Sequence, residues 1–357
     1  MRTSNKAFLY PLHAYRAPVF QTILAILEDN PHPNFKHENI IKHSGWQSLV
    51  AFLTQNGLAN IFYTHLSESS DYFPDAQAVK AALRTSSLID AGRYLSQKHT
   101  LKTIHVTLEN ANITYAIFKG AHVRESAYQQ AWLRNTADID VLITDVDRER
   151  AIKALRDAGM EYHPNPEVLS HEVTLSDADT SVDLHWHIMR PGRTRTDMTE
   201  TLLEDAELSN GYRGMNPTAT LFVLLTHPAI NKYVCSPDAK LIKLVDLHLW
   251  MKHPDINHDE LFLLINKAGL KAAAWSTLFL LRLLTQEQRY PKLFDKLQPG
   301  YLHRGYLMFW ISRDLPTRFY KHRLLMRTAF SLSLHDNCRD MMRATAKLIG
   351  YALKRKE

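Results

Sequence analysis

Two short apolar runs on either side of a Lys-Gly pair constrain the fold of this chain more than any other stretch. Residues 115–118 and residues 139–143 both have the length and apolar character of β-strands. At the start of the second run, Asp138 and Asp140 alternate with apolar side chains, and side chains two positions apart project from the same face of a strand. The sequence therefore predicts two strands, the second of which presents a pair of carboxylates on one face.

The segment between these runs combines a turn, a helix pattern and two positive charges. Lys119 and Gly120 are expected to break the first strand, and residues 121–132 are expected to form a helix that Arg134 closes. A glycine turn at the start of a helix lets backbone N–H groups face a phosphate group. Lys119 and Arg134 add positive charge near that turn, so the segment has the features of a phosphate-binding loop.

The carboxylate pair itself indicates a metal. Two carboxylates on one strand face repel each other unless a divalent cation lies between them or both are well hydrated. Mg²⁺ is usually bound by one or two carboxylates together with substrate phosphates and water. Asp138 and Asp140, preceded by Lys119 and Gly120, therefore favour metal-dependent phosphoryl or nucleotidyl transfer. The alternative is a pair of surface aspartates at a strand end beside an ordinary glycine turn.

A third carboxylate lies in a later strand pattern, SVDLHWHI. Asp183 follows Asp140 by 43 residues, an interval with room for one helix at residues 146–158 and one strand at residues 172–176. Three carboxylates on neighbouring strands would form a two-metal site. The alternative is that Asp183 simply follows a turn at residues 177–180.

Histidines near Asp183 extend the set of candidates. His185 is expected to contact a phosphate or to orient the carboxylate, and the alternative is a structural histidine at a strand end. Asp183, His185 and His187 occupy alternate positions that would suggest zinc, but one strand rarely supplies a closed tetrahedral set of ligands. His171 is a further candidate for the wall of the site, with a polar surface position as its alternative.

The order of these motifs resembles a known family. Phe-Lys-Gly, then Arg-x-x-x-Asp-Ile-Asp-Val-Leu-Ile, then Val-Asp-Leu-His-Trp is similar to bacterial nucleotidyltransferases of the DNA polymerase beta superfamily. Within that superfamily the chain resembles the subgroup that has Lys-Gly in place of the more usual Gly-Ser. The resemblance runs from about Trp46 to about Thr285 and includes the helical stretch after Asn216.

The resemblance implies transfer of a nucleoside monophosphate from a nucleoside triphosphate to an acceptor hydroxyl, phosphate or amine, with release of pyrophosphate. Asp138 and Asp140 would then hold the metal, Mg²⁺ or Mn²⁺, that bridges the triphosphate. Asp183 would help to hold a second metal or act as a base towards the acceptor. The acceptor itself, whether small molecule, glycan, peptide or protein, is not specified.

The same resemblance implies nucleotide-binding roles for three other residues. Lys119 and the backbone of Gly120 would bind phosphate. Arg134 would neutralise the charge that develops in the transition state. His185 is added as a nucleotide-binding candidate because it shares its strand face with Asp183, and not because of the resemblance.

Periodicity along the chain predicts four parts. Residues 1–110 have helical patterns, residues 111–190 alternate between strands and helices, and residues 216–288 are helical again. Residues 289–357 form a basic helical region. The predicted fold class is α/β (α+β), a nucleotidyltransferase-like core with a mixed sheet, flanked by N-terminal and C-terminal helical domains.

One acidic residue lies within an apolar helix pattern of the third part. Asp246 occurs in KLIKLVDLHLW, where an internal ion pair with Lys240 or Lys243 is expected. The alternative is a hydrogen bond from Asp246 to the nucleotide or the acceptor.

Charge is distributed unevenly along the chain. Residues 289–357 contain 15 Lys and Arg against 5 Asp and Glu, a local charge of +10 in a chain with a net charge of +6. The remaining 288 residues therefore carry −4. This asymmetry predicts an anionic partner surface for the basic region. It also leaves two other functions open, a catalytically silent binding or assembly module and, in third place, a nucleic-acid-binding protein.

The cysteines and the hydropathy of the chain indicate its cellular compartment. Cys235 and Cys338 are far apart and fit a reducing compartment. No apolar stretch has the length of a signal peptide or of a membrane-spanning helix. A cytoplasmic protein without a transmembrane segment is therefore expected.

Overall fold

The computed structural model of the chain describes residues 12–28, 37–68, 75–164, 171–234, 236, 239–286 and 290–354. Seven short strands form one mixed sheet. They are β1 (Tyr115–Phe118), β2 (Asp138–Ile143), β3 (Glu161–His163), β4 (Glu172–Asp177), β5 (Thr180–His185), β6 (Glu207–Ser209) and β7 (Tyr212–Gly214). Their order across the sheet is β3-β4-β5-β2-β1-β7-β6.

Helices precede, interrupt and follow the strands. Before β1 lie α1 (Ala17–Leu27), α2 (His37–Gln55), α3 (Ala59–Glu68) and α4 (Ala76–Asn110). Between strands lie α5 (Lys119–Ala127), α6 (Arg148–Asp157) and α7 (Thr199–Leu203). After β7 come α8 (Pro217–Lys232), α9 (Ile242–Trp250), α10 (His258–Ala268), α11 (Lys271–Thr285), α12 (Pro291–Lys296), α13 (Tyr301–Ser312), α14 (Leu315–Arg318), α15 (Arg323–Leu325) and α16 (Cys338–Lys354).

The register of the central strands aligns the polar residues. β1 and β2 are antiparallel, with Phe118 opposite Asp140. β2 and β5 are parallel, with Asp140 beside Asp183. β4 and β5 form an antiparallel hairpin in which Thr174 is opposite Asp183. Because laterally paired residues project from the same face, these polar side chains share one side of the sheet.

Each face of the sheet packs against its own hydrophobic core. Ile139, Val141 and Ile143 of β2 belong to a core that α4 and α6 complete. Phe118 and Leu142, on the same face as Asp140, belong to a second and larger core that contains helices from before and after the sheet. The carboxylates therefore project towards the side where both sets of helices pack.

The structure confirms the mixed α/β class but differs from the sequence prediction in its details. The first strand ends at Phe118, as the Lys119-Gly120 pair predicts, but the following helix α5 begins at Lys119 and ends at Ala127 instead of covering residues 121–132. β6 and β7 join the sheet after residue 190, where the predicted core ended. Strands of three residues are too short to show an alternating pattern. The division into domains stays a prediction.

The basic region contributes to the interior of the protein. Leu307, Trp310 and Phe330 belong to the larger core together with residues of the N-terminal helices. Asp340 in α16 forms an ion pair of 2.7 Å with Arg195. Within the ranges given above, no helix has both the length and the apolar character needed to cross a bilayer. An anionic partner for this region stays a prediction.

Candidate active site

The junction between β1 and α5 directs Lys119 towards the neighbouring strand. Lys119 directly follows Phe118, the residue paired with Asp140, and has a positive φ of 55°. A residue other than glycine is uncommon in this left-handed region, and such positions cost about 1–3 kcal/mol. Lys119 Nζ donates a hydrogen bond of 2.6 Å to Asp140 Oδ1. The strained backbone thus accompanies a direct contact with a candidate metal ligand.

Asp140 is the most buried of the three candidate carboxylates, with 5% of the residue exposed. His185 Nε2 lies 2.9 Å from the same Oδ1 atom that Lys119 contacts. Burial alone would raise the pKa of Asp140, but the charge of Lys119 and the hydrogen bond from His185 hold that pKa well below its usual range. Asp140 is therefore ionised at neutral pH, and its charge is balanced within the protein.

Asp138 and Asp183 are less well compensated than Asp140. Burial and the charge of Asp140 raise the pKa of Asp138, although Lys119 opposes this effect. Burial also raises the pKa of Asp183, and the charges of Asp138 and Asp140 add to it, against a hydrogen bond of 2.8 Å from Thr174 Oγ1. A divalent cation between these carboxylates would remove their repulsion. The donor chemistry therefore fits a metal.

Two overlapping groups have the spacing of metal ligands. Donor atoms of Asp140, Asp183 and His185 lie within 4.8 Å of one another, and so do those of His171, Glu172 and His185. His185 is common to both groups, and its Nδ1 lies 3.0 Å from a Glu172 carboxylate oxygen. The first group contains two carboxylates and suits a hard cation such as Mg²⁺ or Mn²⁺ better than the second.

The zinc alternative at Asp183, His185 and His187 does not form. β5 ends at His185, so the chain leaves strand geometry before His187. His187 Nδ1 instead lies 2.7 Å from Asp197 Oδ2, and this hydrogen bond raises the pKa of His187. The alternation of residues continues in the sequence beyond the end of the strand, so the structure agrees with the sequence analysis, which disfavoured zinc at these three residues.

Comparison with known proteins agrees with the geometry of the carboxylates. A family model described as "Uncharacterised nucleotidyltransferase" matches residues 42–286, which is more than half of the chain. The chain belongs to this nucleotidyltransferase family. No curated protein matches it. The resemblance is therefore confirmed at the level of the family, while the Lys-Gly subgroup stays a prediction.

Arg134 makes its hydrogen bonds and its ion pair inside the protein. Its Nη2 donates a hydrogen bond of 2.6 Å to Asp246, and its Nε lies 3.2 Å from both carboxylate oxygens of that residue. Tyr128 is a second partner of Asp246, and its hydroxyl donates a hydrogen bond of 2.7 Å to Oδ1 of that residue. The expected ion pair of Asp246 with Lys240 or Lys243 is wrong, because α9 packs against α5 and so meets Arg134. A role of Arg134 in neutralising transition-state charge stays a prediction.

Gly120 is required by packing inside the protein. A Cβ atom at this position would lie 2.6 Å from Arg134 Nη1 and 2.8 Å from Thr136 Oγ1. Arg134 cannot move away easily, since Asp246 holds its guanidinium. The absence of a side chain at Gly120 is therefore explained by the neighbouring arginine, and contact of its backbone with a phosphate stays a prediction.

Two polar neighbours of the site were missed in the sequence. Thr174 contacts Asp183, and Glu172 lies next to His185, each directly opposite its partner across the β4–β5 hairpin. The turn at residues 177–180 could have indicated both residues from the sequence. A tight turn there fixes the pairing of every residue in the two strands, so the register could have been read from it.

We expect Gly120→Ala to lower the free energy of unfolding by about 1–3 kcal/mol, the usual cost of overpacking. The new methyl group would displace Arg134 or Thr136. Urea unfolding followed by circular dichroism measures this change. Gly92→Ala is the matched control, since Gly92 lies in α4 and a Cβ there meets nothing within 4 Å. Equal stability of the two variants would contradict the packing argument.

We expect Arg134→Met to cost about 3–5 kcal/mol of stability, because it leaves the charge of Asp246 buried without its main partner. The double variant Arg134→Met/Asp246→Leu removes both charges and should regain much of that loss. A double-mutant cycle of unfolding free energies measures the coupling. Unchanged stability of Arg134→Met together with lost activity would instead assign Arg134 to the substrate.

Mg²⁺ should stabilise the protein more strongly as the pH rises above the ordinary aspartate pKa of about 3.9. The raised pKa values of Asp138 and Asp183 mean that, in chelator, their contribution to stability is lost as the pH rises through those values. Only the ionised carboxylates bind Mg²⁺, so the ion offsets this loss. The measurement is Tm in Mg²⁺ minus Tm in EDTA across the pH range.

Asp183→Asn is the control for that experiment. It removes one of the two titrating groups and leaves Asp138, so the metal-induced shift in Tm should become smaller and should change less with pH. A shift in the parent protein that does not change with pH would show that these carboxylates do not hold the ion.

Proposed function

We propose that this protein transfers a nucleoside monophosphate from a nucleoside triphosphate to an acceptor and releases pyrophosphate, in a reaction that depends on a divalent metal. The observation that carries the proposal is the alignment of Asp140 with Asp183 on adjacent parallel strands, next to Asp138. Family membership supports the reaction class. The acceptor class, which includes hydroxyl, phosphate and amine groups, remains open.

Asp138, Asp140 and Asp183 would supply the oxygen ligands for Mg²⁺ or Mn²⁺. Among the described residues, both side-chain donors to Asp140 contact Oδ1, which leaves Oδ2 as an acceptor for a cation. A bound ion would supply Lewis-acid polarisation of the phosphate oxygens. The repulsion that raises the pKa of Asp138 and Asp183 would be relieved at the same time.

Lys119 and His185 would keep Asp140 ionised and oriented. The pKa of Lys119 is lowered by burial but raised more strongly by Asp140, so the lysine stays charged. Lys119 is thus a counter-ion for Asp140 before substrate binds, at 2.6 Å. His185 Nε2, at 2.9 Å on the same oxygen, fixes the rotation of the carboxylate.

Asp183 is the group best suited to accept the proton of the acceptor. Its raised pKa makes it a stronger base than an ordinary aspartate, and Thr174 fixes its orientation. As the acceptor oxygen or nitrogen forms its bond to the α-phosphorus, the bond to pyrophosphate breaks and the acceptor proton passes to the Asp183 carboxylate. The same carboxylate can contribute to metal binding before that step.

We expect Asp138→Asn and Asp140→Asn each to abolish transfer, and the double variant to be barely worse than either, because residues that act as a unit are not additive. The assay follows label from each of the four nucleoside triphosphates into a cell extract, with Mg²⁺, Mn²⁺ or EDTA. Asp145→Asn, an exposed aspartate just after β2, is the matched control and should keep full activity.

Asp140 is buried, so loss of activity in its variant needs a check of the fold by Tm. Asp183→Asn provides the independent variant, since it keeps the Lys119–Asp140 ion pair. Full activity of Asp140→Asn, or transfer that is indifferent to EDTA, would reject the proposal. A parent protein that transfers no nucleotide to any acceptor would favour the catalytically silent binding module.

A further inference from the structure

The two positive charges that the sequence offered for phosphate binding are already balanced within the protein. Lys119 Nζ lies 2.6 Å from Asp140, and Arg134 Nη2 lies 2.6 Å from Asp246. A triphosphate brings about four negative charges, of which a metal ion neutralises part. The site therefore needs cations other than these two.

Lys243, in the first turn of α9, is a cation of a different kind. It is partly buried, and its ammonium group has no hydrogen bond or ion pair with the described residues. Burial, together with the charges of Lys232, Lys119 and Arg134, lowers the pKa of Lys243 to about 8, and the charge of Asp140 opposes this. Lys243 thus lies within electrostatic reach of the candidate metal ligand and lacks a counter-ion.

The buried ion pair of Arg134 fixes the position of Lys243. Asp246 lies three residues after Lys243, so both occupy neighbouring positions on one face of α9. Arg134 and Tyr128 hold Asp246 at 2.6 and 2.7 Å. This face of α9 is therefore held against Arg134, whose guanidinium lies next to Gly120, the residue that follows Lys119.

Helix α8 contains two further residues of this kind of site, the cation Lys232 and the imidazole of His227. Lys232 ends α8, and like Lys243 it has no ion pair among the described side chains. His227 lies in the same helix. Burial, together with the charges of Lys119, Lys243 and Lys232, holds the pKa of His227 well below the ordinary value, so the ring is neutral. Lys243 and His227 are within electrostatic reach of Asp140, and Lys232 is within reach of both, so these three residues carry excess positive charge near that carboxylate.

We propose that Lys243 and Lys232 bind the terminal phosphates of the nucleoside triphosphate from the helical side of the site. This inference rests on the proposed function, because it assigns the triphosphate to this pocket. Partly buried charges without partners are unfavourable in the free protein and become favourable when an anion is bound. A chain of phosphates between the carboxylate-bound metal and these lysines would satisfy both groups of charges.

The test uses inorganic tripolyphosphate as the probe, with the full chain, by titration calorimetry in Mg²⁺. We expect Lys243→Met to weaken binding at least tenfold, which corresponds to about 1.4 kcal/mol, and Lys232→Met to weaken it as well. Lys243→Arg should retain most of the affinity. Lys240→Met is the matched control, because Lys240 is exposed and lies just before α9.

Two further readouts separate phosphate binding from a structural role. Lys243→Met should leave Tm in EDTA unchanged or raised, since it removes an unpaired and partly buried charge. Binding of a nucleoside monophosphate should change little, because it lacks the terminal phosphates. A lowered Tm, or equal losses for monophosphate and tripolyphosphate, would assign Lys243 a structural role and overturn the proposal.

Failure of this inference can be distinguished from failure of the proposed function. If the parent binds tripolyphosphate through Lys243 but transfers no nucleotide, the phosphate site stands and the transferase reaction does not. If Lys243→Met transfers nucleotide with an unchanged KM for the triphosphate, the reaction stands and the phosphate site is rejected. A parent that does not bind tripolyphosphate, or a variant altered only in the KM for the acceptor, also rejects the phosphate site.

Discussion

The parallel pairing of β2 with β5 is the constraint on which the rest of the site depends. It aligns Asp140 with Asp183 and places Leu142 beside His185, so that carboxylates and imidazole share one face of the sheet. A shift of this register by one residue would move Asp183 to the opposite face, among the side chains of the α4–α6 core. The apolar residues Ile139 and Val141 therefore hold the site in place, because their burial fixes the register.

Charge compensation explains how three carboxylates coexist beside a hydrophobic core. Asp140 is balanced by Lys119 and His185, whereas Asp138 and Asp183 are balanced only in part and have raised pKa values. The three carboxylates together therefore lack positive charge around Asp138 and Asp183. Lys243 in α9 and Lys232 in α8 carry positive charge that no described residue balances. Such a separation suits a ligand that carries a cation at one end and anionic groups at the other.

Local periodicity was sufficient to predict the central strands β1, β2, β4 and β5 and the face that carries Asp138 and Asp140, because alternation is a property of consecutive residues. The turn at residues 177–180 also fixes the register of the two strands that it joins, and this register pairs Thr174 with Asp183. In contrast, Arg134 and Asp246 are 112 residues apart, and only the packing of α9 on α5 brings them together. No local pattern could have distinguished that ion pair from a pairing of Asp246 with Lys243 on the same helix.

The same long-range contact explains why the helices after the sheet belong to the site. Without Arg134, Asp246 would be the natural partner of Lys243, since helix positions three apart are neighbours. Arg134 pairs with Asp246 instead, so the ammonium of Lys243 has no partner among the described residues, and it lies within electrostatic reach of Asp140. The family match extends past β7 to residue 286 and so covers the strands and α8–α11 together. A sheet cut off after Gly214 would retain the carboxylates but would lose both lysines and the aspartate that clamps α9.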